Sequence, residues 1–511
     1  MQRAHQLYSL RTLLAGLTVA VITHSVSPEV HAQCGPVEVA KLLAADGAMD
    51  DEFGYRVAIS GTTAVVGAWE DQDNGLMSGS AFLFDTTTGA QIAKLLPADG
   101  RGGDRFGVSV AISGTTAIIG ARMDDDNGTD SGSAYLFDTT TGMQITKLLP
   151  TDGASGSQFG VSVAISGTIA IVGAHSDEEN GSASGSAYLF NTMTGEQIAK
   201  LLPTDGAAFD YFGFRVAISG TTAIVAATGD ADNGLYSGSA YLFDTTTGTQ
   251  IAKLLPTDGA ERDAFGESVA INGTIAIVGA NQDDDNGVNS GSAYLFDSTT
   301  GAQIAKLLPT DGAGIDSFGV SVAISGTTAV VGAFGDDDNG DLSGSAYLFD
   351  TTTGEQIAKF LPADGAEGDQ FGRSVAIGGT TVIVGARDDD DNGTDSGSAY
   401  VFELEAPVLR AAATCPGGGP IAIDWSCTTP AGRIAVIFAA NRGNFAIPGM
   451  YPCAGTQLGL GVSAIRIAYQ GTSDATGSGT LNASAPSVAC GAYLQLIDLD
   501  SCTVSNVVRI E

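Results

Sequence analysis

The sequence predicts an all-β chain: a seven-bladed β-propeller closed by an N-terminal strand, then a small disulfide-bearing β-sandwich. Three observations carry this. One unit recurs seven times at a constant step, each unit holds four short apolar runs, and the repeat region begins and ends on incomplete units.

The step is read from Phe-Gly, which begins at Phe53, Phe106, Phe159, Phe212, Phe265, Phe318 and Phe371, always 53 residues apart. Asp46, Asp99, Asp152, Asp205, Asp258, Asp311 and Asp364 keep the step, as do the lysines from Lys41 to Lys359. Residues 106–150 read FGVSVAISGTTAIIGARMDDDNGTDSGSAYLFDTTTGMQITKLLP. The runs VSVAI, TAIIGA, SAYLF and QITKLL are rich in β-branched and aromatic residues, and SGT, DDDNG and DTTTG bound them. Most positions are apolar or small, as in strands covered on both faces, and no run reaches helical length between glycines. Four strands per unit, seven times over, describe propeller blades.

The ends of the region fit the same reading. It opens with VEVAKLL (residues 37–43), a fourth strand without a blade, and closes with SAYVFELEA (residues 398–406), a third strand without a fourth. The N-terminal strand is expected to complete blade seven and leave few free edges. Glycine supports strands and tight turns over helices: its 70 residues are about twice the usual ~7% share.

Residues 1–32 read as an export signal. Arg3 and Arg11 form a basic region, residues 13–23 an apolar run too short to span a bilayer, and Val30-His31-Ala32 a cleavage site. The propeller is expected over 33–405. The sandwich is expected over 406–511, where IAIDW, GRIAVIFAA, SAIRIAY and AYLQLIDL stand between Gly, Pro and Ser clusters. Six cysteines, Cys34, Cys415, Cys427, Cys453, Cys490 and Cys502, fit disulfides in an oxidising compartment. Cys415 with Cys427 and Cys490 with Cys502 share a spacing and are the first pairings to consider, leaving Cys453 for Cys34; the connectivity stays open. These features point to a secreted, periplasmic or cell-surface monomer without a transmembrane segment.

An FG pair, a GA pair one strand later, an acidic loop and SGSAYLF recur down the units, with SGSAFLF in blade one and SGSAYVF in blade seven. In this the chain resembles the FG-GAP repeat family, which includes integrin α-subunit propellers, over residues 37–405. Blade four departs, with Ala226 in place of glycine. The resemblance implies an adhesive or recognition role, with a ligand surface built from the loops between strands two and three and between strand four and the next blade. Calcium-binding members carry an aspartate-rich loop between the FG and GA strands. Here that place holds turns such as Ser113-Gly114-Thr115, so the family's calcium site is carried over to no blade.

In an up-and-down blade those two connections emerge on one face. DDDNG is the 2→3 loop, and ADGAEGDQFG (residues 363–372) with its equivalents forms the 4→1 loop, so the acids crowd one face. The opposite face shows SGT and DTTTG turns, where Asp85 and its equivalents are suited to Asx-type bonds. On the acidic face one position refuses to repeat: Trp69, Arg122, His175, Thr228, Asn281, Phe334 and Arg387 follow the GA pair at the same spacing. Unconstrained loop drift and a ring of contact residues both explain this. Trp, Phe and Arg favour contacts, because such types are enriched at binding hot spots.

The aspartates themselves allow two readings. Alternating oxygens can converge on calcium, and blade seven fits that spacing with Asp388, Asp390 and Asn392, with Ser396 placed for a bridging water. A weaker frame, Asp-x-Asp/Glu-Asn-Gly, holds in every blade, as in Asp124 with Asp126, Asp283 with Asp285 and Asp336 with Asp338. The alternative is a solvated Asn-Gly turn. Asn127 and Asn392 also head glycosylation-type Asn-Gly-Thr triplets.

Composition narrows the function. Formal net charge is −36, with 58 acids against 22 Lys plus Arg, which disfavours nucleic acid and anionic membranes as partners. Beyond residue 32 the single histidine is His175, so Ser-His-Asp triads and multi-histidine metal sites have little material. A secreted binding or adhesion protein without catalytic residues, meeting an extracellular protein or glycan, is the reading that results. A secreted enzyme of carboxylate-pair or quinoprotein type, or a structural envelope component, stands as the alternative.

Overall fold

The computed structural model describes residues 35–404 without a break. Further on it describes residues 408–413, 418–426, 433–439, 442–446, 457–460, 466–473, 478–486, 492–499, 505 and 507–509. The six cysteines and residues 1–32, on which the disulfide and export readings fall, lie outside the described residues. The chain divides into two compact units, one of them Pro36–Leu404.

Within Pro36–Leu404 the repeats build seven four-stranded antiparallel sheets. Blade one consists of Arg56–Ser60, Thr63–Ala68, Ser80–Asp85 and Ala90–Leu95, paired in that order. First strands of successive blades touch round the ring, and that of blade seven touches that of blade one. Blade seven has only three strands of its own, Phe371–Gly378, Thr381–Ala386 and Ser398–Leu404; Pro36–Leu42 adds the fourth, antiparallel to Ser398–Leu404. This is the architecture of a seven-bladed propeller whose two chain ends share one sheet.

Burial explains why the strands lack simple alternation. Second and third strands are covered on both faces, so Ala64, Val65 and Val66 are all fully buried, as are Ala81 and Leu83. Each hydrophobic core lies between two blades. Val65, Leu83 and Leu95 of blade one meet Phe106, Val110 and Ile119 of blade two, and Leu42, Val401 and Ile383 meet Phe53 and Val66 across the closure. The Phe of each Phe-Gly anchors its blade edge-on, as Phe106 does against Tyr135 and Phe137 at 5.5 and 5.8 Å; such pairs add about 0.5–1.5 kcal/mol beyond their area. The following glycine allows the blades to close up. At Gly107 (φ +90°) a Cβ would lie 2.2 Å from the Ser80 carbonyl oxygen. At Gly266 the same approach relaxes to 3.0 Å beside the Ala226 methyl, which is how blade four accommodates its departure from glycine.

The second unit is also antiparallel β. Val408–Ala413, Gly418–Ser426 and Gly479–Pro486 form one sheet, and Arg433–Ala439, Arg466–Thr472, Tyr493–Asp498 and Val508–Arg509 a second. Arg442–Ala446 pairs with Gln457–Leu460.

Candidate functional site: the loop face and its two rings

The 2→3 and 4→1 loops meet on one face and are tied by backbone bonds from each blade to the next. Leu76, Met77 and Ser78 carbonyls accept from Gly103, Arg105 and Phe106 at 2.9–3.1 Å, and Thr394, Asp395 and Ser396 do the same for Asp50, Glu52 and Phe53. The residue before each Phe-Gly takes a left-handed conformation (Glu52 φ 50°, Arg105 φ 56°, Tyr211 φ 56°), which costs energy for residues with a Cβ.

An outer ring of this face is built from the repeated charges. In blade two the Lys147 ammonium lies 2.8 Å from Asp99, 2.9 Å from Asp124 and 2.5 Å from Asp126. Its neighbours are a 4→1 loop and both acids of its own 2→3 loop. The same arrangement recurs at Lys94, Lys200, Lys253, Lys306 and Lys359, and at Lys41 with Asp364, Asp389 and Asp391 across the closure. One acid of each trio is buried, as Asp124 is. Tyr135 donates its hydroxyl to that carboxylate at 2.7 Å, and only blade one, with Phe82, lacks the phenol. Burial alone would lower the Lys147 pKa, but the hydrogen bonds it donates to Asp126, Asp99 and Asp124 outweigh it and hold the ammonium well above the ordinary lysine range. The one buried carboxylate thus has its partners in place, the condition under which a buried charge persists, while Asp99 and Asp126 stay half exposed.

These hubs account for six of the residues considered as metal ligands. Asp124 and Asp126 share Lys147, Asp283 and Asp285 share Lys306, and Asp336 and Asp338 share Lys359. The blade-seven set turns to separate partners. Asp388 meets Gln370 and Arg387, Asp390 accepts the Asp395 amide, Asn392 donates to the Ala44 carbonyl, and Ser396 donates to the Asp389 carbonyl. The register that converges in blade seven is therefore Asp389 with Asp391, one residue along from the calcium-type spacing. Between first and second strands stand two-residue turns such as Gly114-Thr115, with no room for the family's aspartate-rich loop. Among the described residues no group of three or more His, Cys, Asp or Glu is placed to hold a metal ion.

An inner ring is built from the unrepeated position. All seven residues are half-buried. Trp69 donates to Glu52 at 2.7 Å, faces Tyr55 at 5.5 Å and is covered by Arg105 at 4.6 Å. Phe334 is covered by Arg373 at 5.1 Å. His175 lies 5.8 Å from the Phe214 ring, and burial, then the charges of Arg122 and Arg215, push it down to about 4. Arg387 reaches Gln370, Asp388 and Glu52. Arg122 Nε, His175 Nδ1 and Asn281 Oδ1 are buried atoms without a hydrogen-bond partner. Thr228 holds the same half-buried place in blade four.

The inner ring includes residues that this single position does not reveal. The two positions after Phe-Gly lie at or beside the start of each first strand, and there blade one has Tyr55-Arg56, blade four Phe214-Arg215, blade five Glu267 and blade seven Arg373. They stand at the head of the first strands, which contact one another round the ring, and this gathers the charges of different blades on its inner side. Burial and then Arg215 bring Arg56 down to about 10. Burial would raise the Tyr55 phenol, yet Arg56, Arg373, Arg215 and Arg122 together lower it. The available signal was the same failure to repeat, one strand earlier.

The rim of the face carries exposed apolar tips: Leu76, Phe209, Leu235, Tyr236, Val288 and Ile315. The opposite face carries the expected Asx turns, in which Asp85 Oδ1 accepts the Thr87 amide at 2.8 Å; the Thr87 hydroxyl first, and then that bond, lower its pKa.

The family model described as FG-GAP repeat matches seven segments, residues 36–84, 90–137, 143–190, 196–243, 249–296, 302–349 and 355–402. Each segment starts on a fourth strand and ends on a third, so a sequence unit is offset by one strand from a blade. Among curated proteins none matches the chain.

Proposed function

The chain belongs to the FG-GAP repeat family, and from that premise we propose that it is a non-catalytic binding protein that meets an extracellular protein or glycan with its loop face. The carrying observation is the contrast between the two faces. The 2→3 and 4→1 loops expose large apolar tips in most blades, Leu76 and Val288 each at 67%, whereas the 3→4 turns of the opposite face are Thr- and Gly-rich and expose such groups only at Met143 and Met193. Exposed apolar groups rimmed by acids are the usual make-up of an interaction surface. Export to the cell surface or beyond, and a disulfide-bearing sandwich for the C-terminal strands, belong to the same reading.

The experiment is surface plasmon resonance of the full chain against a panel of purified matrix proteins and glycans. A partner that binds should lose at least about tenfold in affinity, or 1.4 kcal/mol, when Leu235, Tyr236 and Val288 become serine. Unchanged affinity in that variant, with loss on altering Thr140 and Thr246 of the opposite face, would overturn the reading.

The lysine hubs support a second element of the proposal, that an ammonium does in each blade what a bound calcium ion would otherwise do. The full chain should then melt at the same temperature in calcium and in chelator, since only a bound ligand raises it. A clear rise with calcium would count against this element.

A further inference from the structure

The acidity of this chain makes the place of its unpaired cations informative. Every lysine of the propeller is enclosed in a carboxylate hub. The axial arginines are not. Glu267 engages Arg215 at 3.5 Å, and Glu52 and Asp388 engage Arg387 at 3.5 and 3.2 Å. Arg56, Arg122 and Arg373, from three neighbouring blades, have no ion-pair partner among the described residues, and Arg122 Nε and Arg373 Nε are buried without any hydrogen-bond partner. Like charges gathered at the axis oppose one another, as the lowering of Arg373 by burial and then by Arg56 shows.

Packing does not require this. In five blades the residue equivalent to Arg56 is serine, and its hydroxyl ties the blade to the next. Ser374 accepts the Val57 amide at 3.0 Å, Ser162 that of Val216 and Ser321 that of Val375, while Ser109 donates to Gly160 and Ser268 to Gly319. Blades one and four give up that tie for Arg56 and Arg215. Stacking fixes the guanidinium planes: Arg56 lies 4.8 Å from the Tyr55 ring and Arg373 5.1 Å from Phe334. Arg56 Nη1 donates to the Tyr55 carbonyl at 3.0 Å, which holds that plane further, and the Arg373 Nε stays without a partner. Fixed, unpaired guanidinium forks match oxyanions in geometry as well as charge, and a local rule broken at a stability cost is a mark of a functional site.

The geometry points to a binding site at the propeller axis, between Arg56, Arg122 and Arg373, for one small multivalent oxyanion of the carboxylate, phosphate or sulfate class. The site is distinct from the loop-tip surface and does not depend on it. Bound there, the anion would supply the acceptors that the orphaned Nε atoms lack and offset the mutual repulsion of the three cations.

Titration calorimetry of the full chain with citrate, inorganic phosphate and sulfate, each at fixed ionic strength set by chloride, tests the site and distinguishes the three chemistries. At least one probe should bind once per chain with a Kd of about 1 mM or below. Arg56→Ser, which restores the residue of the five other blades, should weaken it at least tenfold while leaving the melting temperature equal or higher. Arg122→Gln should weaken it likewise, and Trp69 emission should respond to the probe in wild type only. No saturable binding of any probe up to about 10 mM would overturn the proposal. So would binding that both variants retain, or a lowered melting temperature in Arg56→Ser with unchanged binding, which would make the arginine a packing residue.

Discussion

The outer and inner rings of the loop face use the same ingredients, buried cations beside aromatic rings, under opposite rules. In the outer ring every blade repeats one lysine, three acids and, except in blade one, a tyrosine, and every polar group has a partner. In the inner ring no two blades agree across the positions of Tyr55, Arg56 and Trp69 taken together, and several polar atoms have no partner. Seven equal blades need seven equal joints. A site for one asymmetric ligand needs the reverse, so within an internally repeated chain the failure to repeat separates recognition from construction.

The hardest test of the outer ring removes its closing cation. Lys41→Met leaves Asp364, Asp389 and Asp391 facing one another at the junction of the chain ends. Only Asp389 of the three is buried, while Asp364 and Asp391 are about half exposed, so solvent screening holds the loss to about 1–3 kcal/mol, to be read from denaturant melts. Lys147→Met, inside a continuous stretch of chain, should cost less; an equal or smaller loss at Lys41 would mean that the hub does not secure the closure.

Acidity should act next, on the order of 2 kcal/mol in sum. Burial foremost raises Asp51, Asp104, Asp316 and Asp369 to about 6. These carboxyls keep protons in the folded chain at pH values where the unfolded chain, with pKa ~3.9, has released them. Their contribution is therefore present at low pH and lost as pH rises through 6. Asp388, raised to about 6 by burial as well, adds to the same trend; His175 works oppositely, since its folded pKa is depressed, but it is one group against five. Thermal melts should run higher at pH 5 than at pH 7.5, and the reverse order would show that these acids are solvated.

The smallest effects compare blades with each other. Tyr135→Phe removes the hydroxyl from Asp124 and should cost about 1 kcal/mol. Phe82→Tyr in blade one offers Asp71 the phenol that it lacks and should gain about 0.5 kcal/mol. If both changes are neutral, the phenol is not part of the hub.

The seven blades and the shared closing sheet were legible because they rest on a constant 53-residue step and on apolar runs, both local properties of the chain. The hubs were harder. Lys147 meets Asp124, 23 residues earlier, and Asp99, 48 residues earlier, separations that only a finished blade makes short. What remained visible was that lysine and aspartate hold one register, which in a chain of −36 net charge is itself a sign of pairing. The inner ring was half legible. Residues such as Trp69 and Arg387 stood out by their diversity, while Arg56 and Arg373 lay inside strand-forming runs, where a charged residue reads as solvent-facing unless the strand is known to line an axis.

The one-strand offset between sequence unit and blade has a consequence for copy number. Every unit begins with a fourth strand and ends with a third, so duplicating or deleting one whole unit leaves chain ends that still complement each other. The lysine of the first unit would again find the acids of the last, whatever their count. Ring size is thus set by how the wedge-shaped interfaces fill the circle, and the gene can lengthen or shorten by unequal exchange without having to invent a new way to finish the ring.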